Sequence, residues 1–172
     1  MNRGCGTRVI RKLYKLIYVT TFGLWKNCIC NYVCVNVCRL MNFGNSCYMN
    51  SSLQCLFNAE SFCSQLVSQI GDLIYHPAAE LLGCFISLYR MRESEDSEWK
   101  AFLLMQLMEA AAKTNPDFNM FTQNDAHEFL FHILNQMEQT GERLGSIGGV
   151  AYNCPIRANF RFQLKSIITC TG

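Results

Sequence analysis

The chain has 172 residues and 50% of them are apolar, so it can form one domain with a hydrophobic core and is not disordered overall. The chain has 11 cysteines, an odd number, and they are not evenly spaced, which argues against a scaffold of disulfide bonds. We therefore expect a reducing compartment, the cytosol or the nucleus. The net charge of +2 is unevenly distributed, because residues 1–40 hold 7 basic residues and no acidic one. The rest of the chain therefore has 8 basic and 13 acidic residues. This acidic excess would attract a basic ligand, or it is an ordinary solvated surface.

Residues 1–38 form a basic, cysteine-rich extension to which we assign no function. The apolar run at residues 16–25 has about half the length of a membrane span. Lys26 follows it directly and no small-residue cleavage site appears, so neither a membrane helix nor a signal peptide is favoured. The cysteines at positions 28, 30, 34 and 38 lack the paired spacing of a zinc site. The extension is either β-rich, disordered or foreign to the native protein.

The segment NFGNSCYMNSSLQ, residues 42–54, places a cysteine where a polar turn leads into an amphipathic helix. The unpaired N–H groups and the positive end of the helix dipole favour a thiolate, so Cys47 is a candidate nucleophile. Asn42 lies five residues upstream, and its side-chain amide is a candidate oxyanion donor. The alternative is that Cys47 is one small buried apolar side chain among many cysteines.

Apolar spacing predicts four helices after this turn. The first ends near Asn58, and the second covers about residues 60–70. The third has Pro77 in its first turn. The fourth ends before the turn at residues 115–116. Its predicted apolar stripe consists of Trp99, Phe102, Leu103, Leu107 and Ala110.

A strong helix follows residues 123–125, because apolar residues recur at helical spacing beyond them. The predicted core positions are Ala126, Phe129, Leu130, Ile133, Leu134 and Met137. Asp125 lies in the first turn, where the helix dipole stabilises a negative charge. On residue types alone, Gln123 and its two successors are a capping cluster.

The last third of the chain contains a glycine-rich stretch and an alternating one. Glycines at positions 141, 145, 148 and 149 predict a flexible connection. Residues 158–169 alternate apolar and polar side chains over much of their length, which predicts a half-buried strand. Cys170 follows this strand, two residues before the end of the sequence.

Three segments together resemble the ubiquitin-specific proteases, a family of papain-like cysteine peptidases. Residues 42–54 resemble the cysteine box of that family, and residues 123–130, QNDAHEFL, resemble its Gln/Asp box. Residues 151–156, with the strand after them, resemble the start of its fingers region. The resemblance covers about residues 38–172, and the wording QNDAHEF indicates one branch of the family.

The resemblance implies an α+β fold for residues 39–172, a mainly helical thumb subdomain with the first strand of the fingers. It implies that Cys47 attacks the carbonyl of ubiquitin's C-terminal glycine and that Asn42 steadies the oxyanion. Asp125, with Gln123, would bind the ubiquitin tail. Cys170 would be the first ligand of a zinc knuckle whose second cysteine is missing. The implied partners are ubiquitin and ubiquitinated proteins. No cofactor, nucleic acid or membrane is expected.

A thiol protease also needs an imidazole as base and a group that orients it. His76, His127 and His132 do not match the position of the family's catalytic histidine, and surface or capping roles are simpler for all three. We therefore expect a deubiquitinase homologue that is inactive as this chain alone. The alternative is a truncated, inactive product that at most binds ubiquitin.

Overall fold

A computed structural model describes residues 39–149 and 152–161, together with the backbone of two short strands. The predictions for residues 1–8 and 11–38 of the N-terminal extension and for Cys170 concern positions outside the described residues. The same holds for residues 162–163 and 166–169 of the predicted strand.

Six α-helices follow one another in the described part of the chain. They are α1 (Cys47–Phe57), α2 (Glu60–Ile70), α3 (Glu80–Arg90), α4 (Ser97–Thr114), α5 (Ala126–Gly148) and α6 (Pro155–Phe160). Two 3₁₀ helices, Gly71–Tyr75 and Pro77–Ala79, connect α2 to α3. Pro77 therefore opens a 3₁₀ turn, and the third α-helix begins three residues after it.

Local capping explains where the helices around the cysteine box and the Gln/Asp box begin and end. The Asn58 N–H bonds to the carbonyl of Gln54 and ends α1, as predicted. Asp125 accepts bonds from the first turn of α5 and begins it. α1 packs against α5, and α3 packs against α4. Phe129 on α5 meets Tyr48 and Phe118 edge-on in the core between α1 and α5.

The predicted apolar stripe of α4 is wrong for its first two members, Trp99 and Phe102. Trp99 is 47% exposed and Phe102 is 44% exposed, and their rings stack on each other with centroids 5.0 Å apart. The buried face is rotated relative to that stripe, because it must meet α3. It consists of Lys100, Leu103, Leu104, Leu107, Met108, Ala110 and Ala111. Ala126 is likewise exposed rather than in the core, since the first turn of α5 lies at the surface.

The predicted flexible connection beginning at Gly141 is also wrong, because α5 continues to Gly148. Gly149 then takes the left-handed conformation, φ +62°, that ends many helices. Gly141 is buried, and a Cβ atom there would lie 2.1 Å from the Tyr152 hydroxyl. The glycine thus serves close packing within a helix rather than flexibility.

The alternating pattern that begins at position 158 does not form a strand at its start. Residues 158–160 belong to α6, because Pro155 occupies the first helical position and favours the helix. Ile156 and Phe160, four residues apart, are buried on one face, and the Phe160 ring lies 4.8 Å from that of Phe62. Further along, Leu164–Lys165 pairs antiparallel with Val9–Ile10. This pair is too short to test the finger strand, and the described chain is mainly helical.

Candidate active site

The turn before α1 is held by the Ser46 hydroxyl. This hydroxyl accepts a hydrogen bond from the Phe43 N–H at 2.9 Å and donates one to Asn42 Oδ1 at 2.9 Å. Gly44 has φ +81°, a conformation that side chains with a Cβ disfavour. Cys47, the first residue of α1, is exposed at the end of this turn. The structure therefore places the predicted nucleophile and the predicted oxyanion donor in one compact turn.

Asn42 has an exposed side chain with one end already bound. Its oxygen accepts the Ser46 proton, so the Nδ2 group is the end that can donate to a further acceptor. An oxyanion site needs such a donor, held at a fixed position beside the nucleophile. The chemistry of the turn is thus compatible with the predicted role.

The loop that leads to α5 runs directly beside the cysteine turn. The Asn45 N–H donates to the Met120 carbonyl at 3.2 Å, and Asn45 Nδ2 donates to the Phe121 carbonyl at 2.9 Å. Gly44 also approaches this loop, since a Cβ atom there would lie 3.4 Å from the Met120 oxygen. The cysteine turn and this loop are far apart in sequence, yet two hydrogen bonds from Asn45 to backbone carbonyls join them.

The first turns of α1 add further bonds to the same region. The Tyr48 hydroxyl donates to the Asn119 carbonyl at 3.1 Å, and the Ser52 hydroxyl lies 3.1 Å from the Ala126 carbonyl. Burial raises the pKa of Tyr48, so the phenol keeps the proton that it donates. Asn124 Nδ2 binds the Asp117 carbonyl at 2.6 Å and so fixes the loop just before Asp125.

Asp125 is the N-cap of α5, which confirms the capping interpretation. Its Oδ1 accepts from the His127 N–H at 2.7 Å and the Glu128 N–H at 3.2 Å. Because the cap uses only Oδ1, the second carboxylate oxygen can accept from a ligand. Gln123 is exposed in the loop two residues before it. Whether these two side chains bind a peptide tail stays a prediction.

The three histidines have local structural surroundings. His76 Nδ1 accepts from the Ala78 N–H and caps the 3₁₀ turn at Pro77–Ala79. His132 Nε2 lies 2.8 Å from Thr114 Oγ1, and burial lowers its pKa, which favours the neutral ring. His127 is exposed in the first turn of α5.

Other cysteines in the described chain differ from Cys47 in exposure. Cys63 is buried, and burial raises its pKa to about 12. Burial also raises the pKa of Cys84. Within residues 39–149 and 152–161, no group of three or more histidine, cysteine or acidic side chains can hold a metal ion. In that same part, no helix is long and apolar enough to cross a membrane.

Ser46, Tyr48, Ser52 and Asn119 contribute to the site but were not predicted from sequence. The spacing of Asn42 and Ser46, four residues apart in a turn, is a local signal for their hydrogen bond. The bond from Tyr48 to Asn119 spans 71 positions, and no local pattern indicates it.

Comparison with known sequences gives the following relatives. The sequence model of a family described as ubiquitin carboxyl-terminal hydrolase matches residues 38–172. Ubiquitin carboxyl-terminal hydrolase 37 of Homo sapiens is 33% identical over 145 residues, which cover 75% of this chain and 15% of the relative. Ubiquitin carboxyl-terminal hydrolase 26 of Homo sapiens is 31% identical over 152 residues, 76% of this chain and 17% of the relative. Ubiquitin carboxyl-terminal hydrolase 29 of Mus musculus is 34% identical, with the same coverage.

No solved structure matches. The chain spans less than a fifth of these relatives.

Proposed function

Because this chain belongs to the ubiquitin carboxyl-terminal hydrolase family, as its motifs predict, we propose that it is part of a cysteine-type deubiquitinase. Such an enzyme removes ubiquitin from protein conjugates. Residues 39–172 would be the thumb and the start of the fingers of its catalytic domain. Hydrolase 37 represents the branch that the QNDAHEF wording indicates.

One observation carries the proposal: the cysteine turn and the Gln/Asp-box loop are joined through Asn45. Its two hydrogen bonds, to the carbonyls of Met120 and Phe121, bring the nucleophile and the start of α5 to one side of the domain. A peptide tail that ends in the scissile carbonyl must contact both regions at once. A purely structural cysteine would not require this arrangement.

The chemical roles are those that the family resemblance implies for these side chains. The Cys47 thiolate adds to the carbonyl carbon of ubiquitin's C-terminal glycine, and the π electron pair moves onto the oxygen. The Nδ2 group of Asn42 donates to that oxyanion. Asp125, through its second oxygen, and Gln123 bind the extended tail. Collapse of the intermediate re-forms the carbonyl as a thioester of Cys47 and expels the amine, which must receive a proton from a general acid, the base in its protonated form.

The base is the missing part. None of the three histidines is proposed for this role, so a further segment must supply the imidazole and its orienting group. General acid–base catalysis is typically worth about 10²- to 10⁴-fold, and this chain alone should therefore turn over no ubiquitin conjugate at a useful rate. Ubiquitin, ubiquitinated proteins and a cytosolic or nuclear location are part of the proposal. Cys170 stays a predicted zinc ligand.

The proposal is tested with ubiquitin that carries a C-terminal bromoethylamide. Cys47 displaces bromide from this probe, so one S–C bond forms and one C–Br bond breaks without help from a base beyond the thiolate. We expect the probe to modify Cys47 at least about tenfold faster than free bromoethylamine at equal concentration, because the tail is bound first. Cys47→Ala is the control. Equal rates for the two reagents would contradict binding of the ubiquitin tail beside Cys47 and would favour the alternative of a truncated, inactive product.

Turnover is measured separately with a fluorogenic ubiquitin amide. We expect none above the Cys47→Ala background. Turnover near one per second would contradict the missing base, and His76, His127 or His132 would then have to reach the thiol.

A further inference from the structure

Ser46 is a serine at a helix N-cap that does not cap its helix. Its backbone precedes α1 directly, yet in the described structure its side chain accepts no bond from the first turn of that helix. A serine at this position usually stabilises the helix by such a bond. The side chain is instead fully buried, with 0% exposure, and points back toward Asn42 and Phe43. The turn therefore forgoes a common source of helix stability.

The two hydrogen bonds of Ser46 determine which end of the Asn42 amide points outward. The hydroxyl oxygen accepts from the Phe43 N–H at 2.9 Å, and its proton goes to Asn42 Oδ1 at 2.9 Å. If the amide were rotated by half a turn, the buried hydroxyl proton would have no acceptor at this position. Burying an unsatisfied donor is costly, so the orientation with Nδ2 free is strongly preferred.

The location of Ser46 adds a second constraint. It is the residue directly before Cys47, and Asn42 lies four residues before it, so one side chain ties the nucleophile and the donor into a single turn. An exposed asparagine without such a partner would exchange between rotamers. A donor acts on a developing oxyanion only if it is already in place, because reorientation during the reaction would cost the energy that it gains.

We propose that Ser46 is a positioning residue: its buried hydroxyl orients the Asn42 carboxamide so that Nδ2 donates to the oxyanion formed at Cys47. The inference rests on the proposed function and deepens it, because it assigns a task to a residue that neither touches the substrate nor caps the helix. The task requires a hydroxyl, not a particular side-chain size. Ser46→Thr should therefore preserve it, and Ser46→Ala should abolish it.

The test compares two ubiquitin probes that differ in whether an oxyanion forms. With a C-terminal aldehyde, Cys47 adds to the carbonyl carbon, the π pair moves onto oxygen, and that oxygen takes a proton from water. With the bromoethylamide, sulfur displaces bromide and no charge develops on a carbonyl oxygen. Both reactions need the same bound tail and the same thiolate, so the bromoethylamide rate reports folding, binding and thiolate reactivity without an oxyanion.

We expect Ser46→Ala to slow the addition of Cys47 to the aldehyde about tenfold and to leave the bromoethylamide rate within twofold. Removing an oxyanion donor outright costs about 10²- to 10³-fold, and an unoriented donor should cost less. Ser46→Thr should match the wild type with both probes. In an Asn42→Ala background, Ser46→Ala should have no further effect on the aldehyde. Equal losses with both probes, or no loss with either, would overturn the inference.

A nuclear magnetic resonance measurement separates this inference from the proposed function. Order of the Asn42 side-chain amide is followed by its ¹⁵N relaxation in the full chain without ubiquitin. The amide should be ordered in the wild type and in Ser46→Thr, and mobile in Ser46→Ala. If neither probe modifies wild-type Cys47, the proposed function fails, and the relaxation data alone then test whether Ser46 orients the Asn42 amide. Equal mobility in all three proteins would overturn it.

Discussion

Two cysteines stand at helix starts in the part of the chain that the structure describes, and only one of these two is accessible. Cys47 is the first residue of the 11-residue α1 and is exposed, whereas Cys154 is the N-cap of the 6-residue α6 and is only 5% exposed. The residue after Cys154 is Pro155, which has no N–H group to offer a thiolate. A helix start is thus not sufficient for a reactive thiol. Exposure and free N–H groups are needed as well.

The two helix starts also differ in what holds them to α5. The region of Cys47 is joined to the loop before α5 by neutral hydrogen bonds and by the aromatic contacts of Phe129. α6 is joined by charges: Arg157 Nε binds Glu138 at 2.6 Å, and Arg161 also binds this buried carboxylate. The candidate site therefore depends on packing and amide geometry, and the α6 region depends on an ion-pair cluster.

The largest expected effect concerns the reactivity of the thiols. We expect iodoacetamide at pH 7 to modify Cys47 at least about a thousandfold faster than Cys63, because a thiol whose pKa is about 12 is a thiolate in only about one molecule in 10⁵. Burial should slow Cys154 as well. Peptide mass spectrometry after graded exposure gives the rates. Modification of Cys154 or Cys63 as fast as Cys47 would remove the distinction between the two helix starts.

The next largest effect is the loss of the aromatic contacts between α1 and α5. Phe129→Ala should lower the free energy of unfolding by about 3–5 kcal/mol, since it leaves a cavity beside Tyr48 and Phe118. Phe131→Ala, two positions along the same helix and 45% exposed, is the matched control and should cost less than about 1 kcal/mol. Urea unfolding measures both. Similar losses would mean that the α1–α5 contact does not depend on this core.

The sequence predicts these regions unequally, for physical reasons. α1 and α5 begin where a turn or cap residue precedes an apolar repeat, and such signals are local. The exposure of Trp99 could not be predicted from such local signals, because the direction of α3 decides which face of α4 is covered. The need for glycine at position 141 also comes from a tertiary contact, since the Tyr152 side chain occupies the space that a Cβ atom would take. Motif residues were therefore easier to predict than the contacts that hold them.

The ion-pair cluster provides the third prediction. Replacing both Arg157 and Arg161 by alanine leaves Glu138 buried without its partners, a change that is strongly destabilising in a fully buried site. Both arginines are partly exposed, so water can enter, and we expect a smaller loss of stability than for Phe129→Ala. Hydrogen exchange at Phe160 should accelerate while that of α1 does not. Arg143→Ala, an exposed arginine on α5, is the control and should change neither.

The smallest expected effect concerns Asp125, where capping and ligand binding can be separated by two substitutions. Asp125→Ala removes the cap of α5 and should cost about 1 kcal/mol of stability, whereas Asp125→Asn keeps a capping oxygen and should cost only a few tenths. If Asp125 is only a cap, Asp125→Asn should bind ubiquitin as the wild type does.

If its charge also holds the basic tail, both variants should lose about tenfold in affinity, since a charged hydrogen bond is lost in each. Titration calorimetry with intact ubiquitin and with ubiquitin that lacks its tail distinguishes the cases. A loss confined to intact ubiquitin places Asp125 at the tail, because the tailless protein cannot report on that contact. An equal loss for both ligands would mean that Asp125 acts elsewhere on ubiquitin or through the start of α5. The site around Cys47 would then lack the charged contact with a basic ligand that the excess of acidic residues after position 40 suggests.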